Sequence, residues 1–114
     1  MTRVKGGTHA IKHRRNILKR AKGYKWGRST KERQANEALA HAGNNAFRDR
    51  RRKKKEFRRL WNIKINAALR KYGLSFSKFV GALRKSELDI NRKTLAELAE
   101  NEPKTFGKII EKVQ

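Results

Sequence analysis

A run of positive charge from Arg48 to Arg59 places the strongest constraint on how this chain can fold. Nine of its twelve residues are Lys or Arg, and only Asp49 and Glu56 are acidic. The run contains no Gly or Pro, and Lys, Arg and Glu are good helix formers, so a helix is predicted. At about 1.5 Å per residue it would carry about one cation per 2 Å, close to the roughly one charge per 1.7 Å of a nucleic-acid duplex. The spacing indicates a polyanionic partner.

The same run leaves no helix side free to pack on a hydrophobic core, because its cations fall on every side. Its (i, i+4) pairs include five of like charge and only two that attract, Asp49 with Lys53 and Arg52 with Glu56. At about 0.2–0.5 kcal/mol per pair, the imbalance costs on the order of 1 kcal/mol. We therefore expect this helix to fray when alone and to be ordered by phosphate groups.

The positive charge is concentrated in the first half of the chain. The 114 residues carry a net charge of +22, which indicates nucleic acid first and an acidic membrane surface second. Residues 1–60 hold 21 Lys and Arg against 4 Asp and Glu, and residues 61–114 hold 11 against 6. We predict a basic RNA-binding extension over residues 1–59, made of an arm and helices, and a small all-α globular domain over residues 60–114.

Composition excludes several other classes of protein. Without cysteine the chain has no disulfide or thiolate metal site. No apolar run approaches the roughly 20 residues of a membrane span, and no signal-peptide core follows the start, so a soluble intracellular protein is expected. The acid-free segment 1–31 also fits a transit peptide, but Ser is scarce and the basic character continues beyond it. No catalytic set is present, so we expect no enzyme, cofactor or small-molecule substrate.

Residues 1–31 are predicted to form an extended arm over the first eight residues and then a helix from His9 to Lys22 that stops at Gly23. His9 and His13 have a zinc-binding spacing but no nearby acid or Cys, so a metal site is disfavoured. In the loop that follows, Tyr24 and Trp26 alternate with cations and are suited to stacking on unpaired bases. The alternative, in which either ring covers the extension's own thin apolar stripe, remains open.

Ser29 and Glu32 form a capping-box pattern that predicts the start of a second, very long helix ending near Gly73. Its first half has a narrow seam of small residues, from Ala35 to Ala46, expected to pack on the first helix or on RNA. The second half has an apolar face. Its members are Phe57, Trp61, Ile65, Ala68, Leu69 and Tyr72.

Three shorter helices are predicted after Gly73. Ser75 caps the first, whose face is Phe76, Phe79, Val80 and Leu83, with Leu74 and Phe79 as its hydrophobic staple. Asn91 caps the second, with Leu95, Leu98 and Ala99, and Ile90 as staple partner of Leu95. Pro103 begins the third, with Phe106, Ile109, Ile110 and Val113. The predicted fold is all-α, a long basic helical N-terminal extension followed by a small helical bundle.

The candidate RNA-binding residues share a cationic or aromatic side chain in the extension. They are Arg3, Lys5, Lys12, Arg14, Arg15, Lys19, Arg20, Lys22, Tyr24, Lys25, Trp26, Arg28, Arg48, Arg50, Arg51, Arg52, Lys53, Lys54, Lys55, Arg58 and Arg59.

Short motifs along nearly the whole chain resemble one known family, that of the twentieth protein of the bacterial large ribosomal subunit. They are M-T-R-V-K at 1–5, L-K-R-A-K-G-Y at 18–24, A-F-R-D-R-R at 46–51, F-R-R-L-W at 57–61, I-N-A-A at 65–68, G-L-S-F-S-K-F at 73–79 and N-R-K-T-L-A at 91–96. The chain departs from the family in having Phe47 where Tyr is usual, Trp26 and Gly27 in a usually smaller loop, and Asn62 where an apolar residue is usual.

The resemblance implies a basic helical extension threaded through 23S-type large-subunit rRNA and a small domain at the surface side of the subunit. It also implies neighbouring large-subunit ribosomal proteins as partners and an early role in assembly. The expected location is the ribosome, in the bacterial cytoplasm or, alternatively, in an organelle. In some members the protein represses its own translation, which implies its own mRNA leader as a further partner. Two other classes fit the charge. One is a DNA-compacting, histone-like protein, and the other a membrane-active peptide, which lacks the wide apolar face that insertion needs.

Overall fold

The computed structural model describes residues 1–3 and 6–114, and its regular structure in those ranges is helical, without a β-strand. This confirms the predicted all-α class. The chain divides into two compact units, Met1–Arg50 and Arg51–Gln114. The elements in chain order are α1 (Thr8–Arg20), a 3-10 turn (Trp26–Arg28), α2 (Glu32–Arg70), α3 (Phe76–Lys85), α4 (Arg92–Asn101) and α5 (Pro103–Val113).

The division between the units falls inside α2, which is one continuous helix of 39 residues. The predicted boundary between residues 59 and 60 lies further along the same helix. Every residue from Phe47 to Leu60 is exposed. Since no side chain of this stretch is buried, tertiary packing does not fix the boundary between the units at a particular residue within it.

The second unit contains a packed core formed by the end of α2 and by α3, α4 and α5. The rings of Phe79 and Phe106 lie 5.9 Å apart at an interplanar angle of 50°, a favourable tilted arrangement. The predicted apolar faces supply most of this core, which confirms the helical bundle. Its buried members are Ile65, Leu69, Phe79, Leu83, Leu95, Ala96, Phe106 and Ile110.

The predicted starts of the short helices are also confirmed. The Ser75 hydroxyl accepts from the backbone N–H of Lys78 at 3.4 Å, and Asn91 Oδ1 accepts from both the N–H and the hydroxyl of Thr94, at 2.8 and 2.9 Å. Pro103 occupies the first turn of α5. The Ser75 and Asn91 side chains thus act as N-caps, pairing backbone N–H groups that have no partner within the helix.

The end of α2 lies close to the predicted stop at Gly73. Gly73 has φ +68°, a conformation that favours glycine. The N–H of Leu74 bonds the carbonyl of Leu69 at 3.2 Å, and that of Gly73 bonds the carbonyl of Arg70 at 3.2 Å. This is a Schellman motif, in which residues beyond the helix pair its last carbonyl groups. Leu74 packs against the core, so the turn also directs the chain into α3.

The predicted apolar face of α2 is buried only in its middle. Ile65 and Leu69 are buried, whereas Phe57 and Tyr72, at its two ends, are each 44% exposed. The three short helices enclose the central turns of this face and leave its ends accessible. Phe57 instead lies beside Trp61, with ring centroids 6.2 Å apart.

The first unit has a much smaller core. Ile17 and Ala21 at the end of α1 pack with Ala35 of α2, and Leu18, Tyr24 and Leu39 lie partly buried against them. Of the seam predicted at the start of α2, Ala35 and Leu39 therefore pack on the first helix. Helix α1 ends at Arg20, two residues before the predicted end at Lys22, and the N–H of Tyr24 bonds the carbonyl of Ala21 in the turn that follows.

The predicted capping box at the start of α2 is wrong. The Ser29 hydroxyl donates to the carbonyl oxygen of Trp26 at 3.2 Å and so belongs to the 3-10 turn. The Glu32 carboxylate lies near two α1 side chains, 3.7 Å from His13 Nε2 and 3.9 Å from an Arg14 nitrogen. The turn therefore takes the Ser29 hydroxyl, and the pairing of α1 with α2 takes the Glu32 carboxylate.

Candidate nucleic-acid interface

The basic run of α2 is accessible along its whole length. All nine of its Lys and Arg residues are exposed, from Arg48 to Arg59. The predicted attraction between Arg52 and Glu56 is present, with Nε and Oε1 3.6 Å apart, whereas Asp49 pairs with Arg48 at 3.4 Å. Both acids thus contact cations on their own helix. The positive charge of this run remains in large excess at the surface.

Four of these cations line one shallow groove together with Glu56. They are Arg51, Arg52, Lys55 and Arg59. Guanidinium groups present several N–H donors in a plane and can hold a phosphate by two bonds at once. A groove with three of them and one ammonium group is suited to a phosphate backbone.

The candidate cations of α1 lie on the surface of the first unit. Lys12, Arg14, Arg15, Lys19 and Arg20 are exposed on the helix, Lys22 is exposed just after it, and Arg3 is exposed before it. Lys5 lies outside the described residues.

Arg14 also has a contact within the chain. Its Nη2 donates to the carbonyl oxygen of Thr30 at 3.0 Å, and its other terminal nitrogen lies near Glu32. This side chain therefore joins α1 to the beginning of α2. Any part it takes in RNA binding is shared with that structural contact.

The loop between α1 and α2 forms one wall of an open cleft of about 850 Å³. The loop brings Tyr24, Lys25, Trp26 and Arg28 to this wall. The opposite wall is one face of α2. Its members follow helical spacing and are Gln34, Glu37, Ala38, His41, Ala42 and Asn45.

The two aromatic residues of the loop have different surroundings. Tyr24 is half-buried against the small core of the first unit, so its ring anchors the loop. Trp26 is 82% exposed and has φ +57°, a left-handed conformation uncommon for a residue with a large side chain. The alternative that each ring covers the extension's own apolar stripe thus fits Tyr24 and does not fit Trp26.

The residues of the α2 wall are not among the RNA-binding residues predicted from the sequence. Its signal in the sequence is a face with Ala38 and Ala42 in the middle and polar residues around them at steps of three and four. Those alanines were assigned only to the packing seam. A face made of small residues permits close approach both by another helix and by a ligand, so the pattern alone does not distinguish the two.

Within residues 1–3 and 6–114 there is no group of three or more His, Cys, Asp or Glu side chains placed to hold a metal ion. His13, one of the two residues with zinc-binding spacing, instead approaches Glu32. Among the helices so described, none is both long and apolar enough to span a membrane.

A basic all-helical chain with one long, accessible cationic helix and a small packed bundle is typical of a structural protein that binds nucleic acid. The family model of ribosomal protein L20 matches residues 3–109. The chain belongs to the ribosomal protein L20 family, as its motifs predicted. Members of this family are structural proteins and not enzymes, which confirms the absence of catalysis expected from the sequence.

Curated relatives match over nearly their full length. The large ribosomal subunit protein bL20 of Acaryochloris marina is 51% identical over 111 residues, covering 97% of this chain and 96% of the relative. The same protein of Trichormus variabilis is 50% identical, with 97% and 94% covered. That of Prochlorococcus marinus is 52% identical over 109 residues, with 96% and 95% covered.

Proposed function

We propose that this protein is a structural constituent of the bacterial large ribosomal subunit, located in cytoplasmic ribosomes. In this role it binds 23S-type rRNA directly through residues 1–59 and supports early assembly of the subunit. One observation carries the proposal: a continuous helix exposes nine cations between Arg48 and Arg59 in a chain of the L20 family. A cationic surface of this density has rRNA as its natural partner in a ribosomal protein.

The mechanism is electrostatic. RNA segments that must pack together in a ribosome repel one another through their phosphates. A cationic helix between them neutralises this charge and releases bound counterions, which favours association at low salt. Because such contacts are made with phosphates and sugars, they position the RNA without reading its base sequence. The exposed cations of α1 neutralise RNA phosphates in the same way at the surface of the first unit.

The globular part, residues 60–114, has a different role in this proposal. Its core lies within the second unit and includes the paired rings of Phe79 and Phe106. Such a domain suits docking at the surface side of the subunit, beside rRNA and neighbouring large-subunit ribosomal proteins. Its own charge is only modestly positive, with 11 Lys and Arg against 6 Asp and Glu over residues 61–114.

The proposed binding surface also suits a regulatory target. An mRNA leader folded like the rRNA site would present the same backbone and unpaired segments to residues 1–59. Binding of such a leader would repress translation of the protein's own message. A translation assay with the natural leader fused to a reporter tests this, and repression is expected to disappear when the rRNA fragment is added as a competitor.

The principal experiment is competition binding with the purified full chain at two salt concentrations. Labelled large-subunit rRNA fragments serve as ligands, and small-subunit rRNA and long duplex DNA serve as competitors. We expect one large-subunit fragment to remain bound at the higher salt and in excess competitor. The proposal is overturned if duplex DNA displaces every fragment as well as large-subunit rRNA does, which is the behaviour of a DNA-compacting protein.

A further inference from the structure

The cleft between the loop and α2 has a feature that phosphate binding does not require, which is an exposed indole in a strained conformation. Trp26 is 82% exposed at φ +57°. Non-glycine residues in left-handed conformations persist where the surrounding structure holds them, and they occur often at ligand sites. Here Ser29 and the turn that it closes hold the Trp26 backbone.

The indole lies beside a space of suitable size for a small ligand. The cleft, of about 850 Å³, lies within the roughly 300–1,000 Å³ typical of such sites. Its α2 wall includes the small side chains of Ala38 and Ala42, which leave room beside the helix. Glycine at position 27 contributes to this shape, because a side chain there would meet that of Gln34.

The charges and polar groups of the cleft are separated between its walls. The loop wall carries the cations Lys25 and Arg28. The α2 wall carries the amides of Gln34 and Asn45 together with Glu37, whose carboxylate lies 3.8 Å from Nε2 of His41 on the same wall. A cation wall fits a phosphate, and amides with a carboxylate fit the hydrogen-bonding edge of a base. The carboxylate would repel a phosphate, so the arrangement suits one nucleotide in one orientation.

We propose that this cleft binds a single unpaired nucleotide of an RNA, with its base stacked on the Trp26 indole and its phosphate on the loop cations. The inference rests on the proposed RNA-binding function and adds the feature of the RNA that the first unit recognises. Tyr24 positions the loop and does not stack, because its ring is packed against the unit's own core. The polar side chains of α2 contact the base edge.

The test uses the full chain and three short RNA stems that differ at one place. The first stem has a single bulged guanosine, the second has an abasic bulge with the same number of phosphates, and the third is fully paired. Affinities are measured by fluorescence anisotropy at one fixed salt concentration. We expect the base-bearing bulge to bind at least about fivefold more tightly than the abasic bulge, as stacking of one base implies.

Two variants separate stacking from charge. Trp26→Gly should bring the ratio of the affinities for the base-bearing and abasic bulges close to one and leave the affinity for the abasic stem unchanged. The control, Arg33→Ala, removes an exposed cation of α2 outside the cleft and should weaken binding to all three stems equally while keeping the ratio. In a Trp61→Phe background, Trp26 fluorescence should be quenched by the base-bearing stem and not by the abasic one.

The inference is overturned if the natural chain does not distinguish the base-bearing from the abasic bulge, or if Trp26→Gly keeps that distinction. Either result leaves the proposed function intact as long as one large-subunit rRNA fragment survives competition. The opposite combination is also possible. If duplex DNA displaces every rRNA fragment but the chain still prefers the base-bearing bulge to the abasic one, the ribosomal proposal is overturned and the nucleotide cleft stands. The two experiments therefore fail independently.

Discussion

The hydroxyl of Ser29 donates to the carbonyl oxygen of Trp26 at 3.2 Å, and this bond closes the turn that presents an 82% exposed indole to solvent. The backbone of Trp26 is held at φ +57° in the same turn. An exposed ring contributes little to packing, and a strained backbone lowers stability. The backbone conformation of Trp26 therefore destabilises the fold by more than the contacts of its exposed side chain stabilise it.

Trp26→Gly should leave stability unchanged or raise it by up to about 1 kcal/mol, because relief of left-handed strain exceeds the entropy that glycine adds to the unfolded chain. Tyr24→Ala is the matched comparison and should lower stability, since Tyr24 packs against the small core of the first unit. Amide exchange across residues 8–45 gives the stability of the first unit. A marked loss of protection in Trp26→Gly would show that the indole has a packing role.

The triple variant Arg50→Ala, Lys54→Ala and Arg58→Ala should keep α2 helical, because it removes two repulsive (i, i+4) pairs worth about 0.2–0.5 kcal/mol each. It should weaken binding to every RNA and lower the slope of log K against log salt by about 2 to 3, at about 0.7–0.9 for each lost phosphate contact. Titrations at four salt concentrations measure the slope.

The control for this triple variant changes three exposed cations of the second unit, Lys93, Lys104 and Lys108, to Ala. It removes the same charge from the chain while leaving the basic run complete. Its salt slope should fall much less. Equal slopes in the two triple variants would mean that net charge, and not the cationic helix, determines RNA affinity.

The Oδ1 atom of Asn62 is buried and has no hydrogen-bond partner among the described residues. An unpaired buried acceptor costs free energy, so Asn62→Leu should raise the stability of the second unit by about 1 kcal/mol. Urea denaturation measures the change, and RNA affinity should not move. Asn44→Leu, at an exposed position of α2, serves as the comparison and should give no such gain.

The two bonds that Asn91 Oδ1 accepts from Thr94 hold the first turn of α4. Asn91→Ala should therefore destabilise the second unit by about 1 kcal/mol, and Asn91→Asp should retain most of the stability because aspartate is an equally good cap. The midpoints of urea unfolding compare the two. If alanine and aspartate prove equivalent, the cap bonds contribute nothing measurable.

The exposed turns of α2 between Phe47 and Leu60 should exchange their amide hydrogens quickly in the free protein, because like charges repel there and no buried side chain supports them. Binding of a large-subunit rRNA fragment should slow this exchange. Residues 65–69 provide the internal reference, since Ile65 and Leu69 are buried in the core and should be protected in both states.

Local pattern was sufficient for the helical class, the starts of α3, α4 and α5, and most of the second core. The caps at Ser75 and Asn91 use partners three residues away, and the apolar faces follow helical spacing, so each prediction depends on contacts along one segment. The exposure of the basic run could be predicted in the same way, because none of its nine cations depends on packing against another element.

Where two segments compete for the same group, the sequence alone did not decide. Glu32 lies near His13 and Arg14, because packing α1 on α2 offers its carboxylate partners that a local cap does not. The Ser29 hydroxyl bonds instead to Trp26 within the turn. The exposure of Trp26 and the cleft beside it arise in the same way. Charge, helical period and capping determined the class of this protein and its basic surface. Tertiary packing determined which aromatic residue anchors the loop and which one faces solvent, because burial depends on residues distant in the chain.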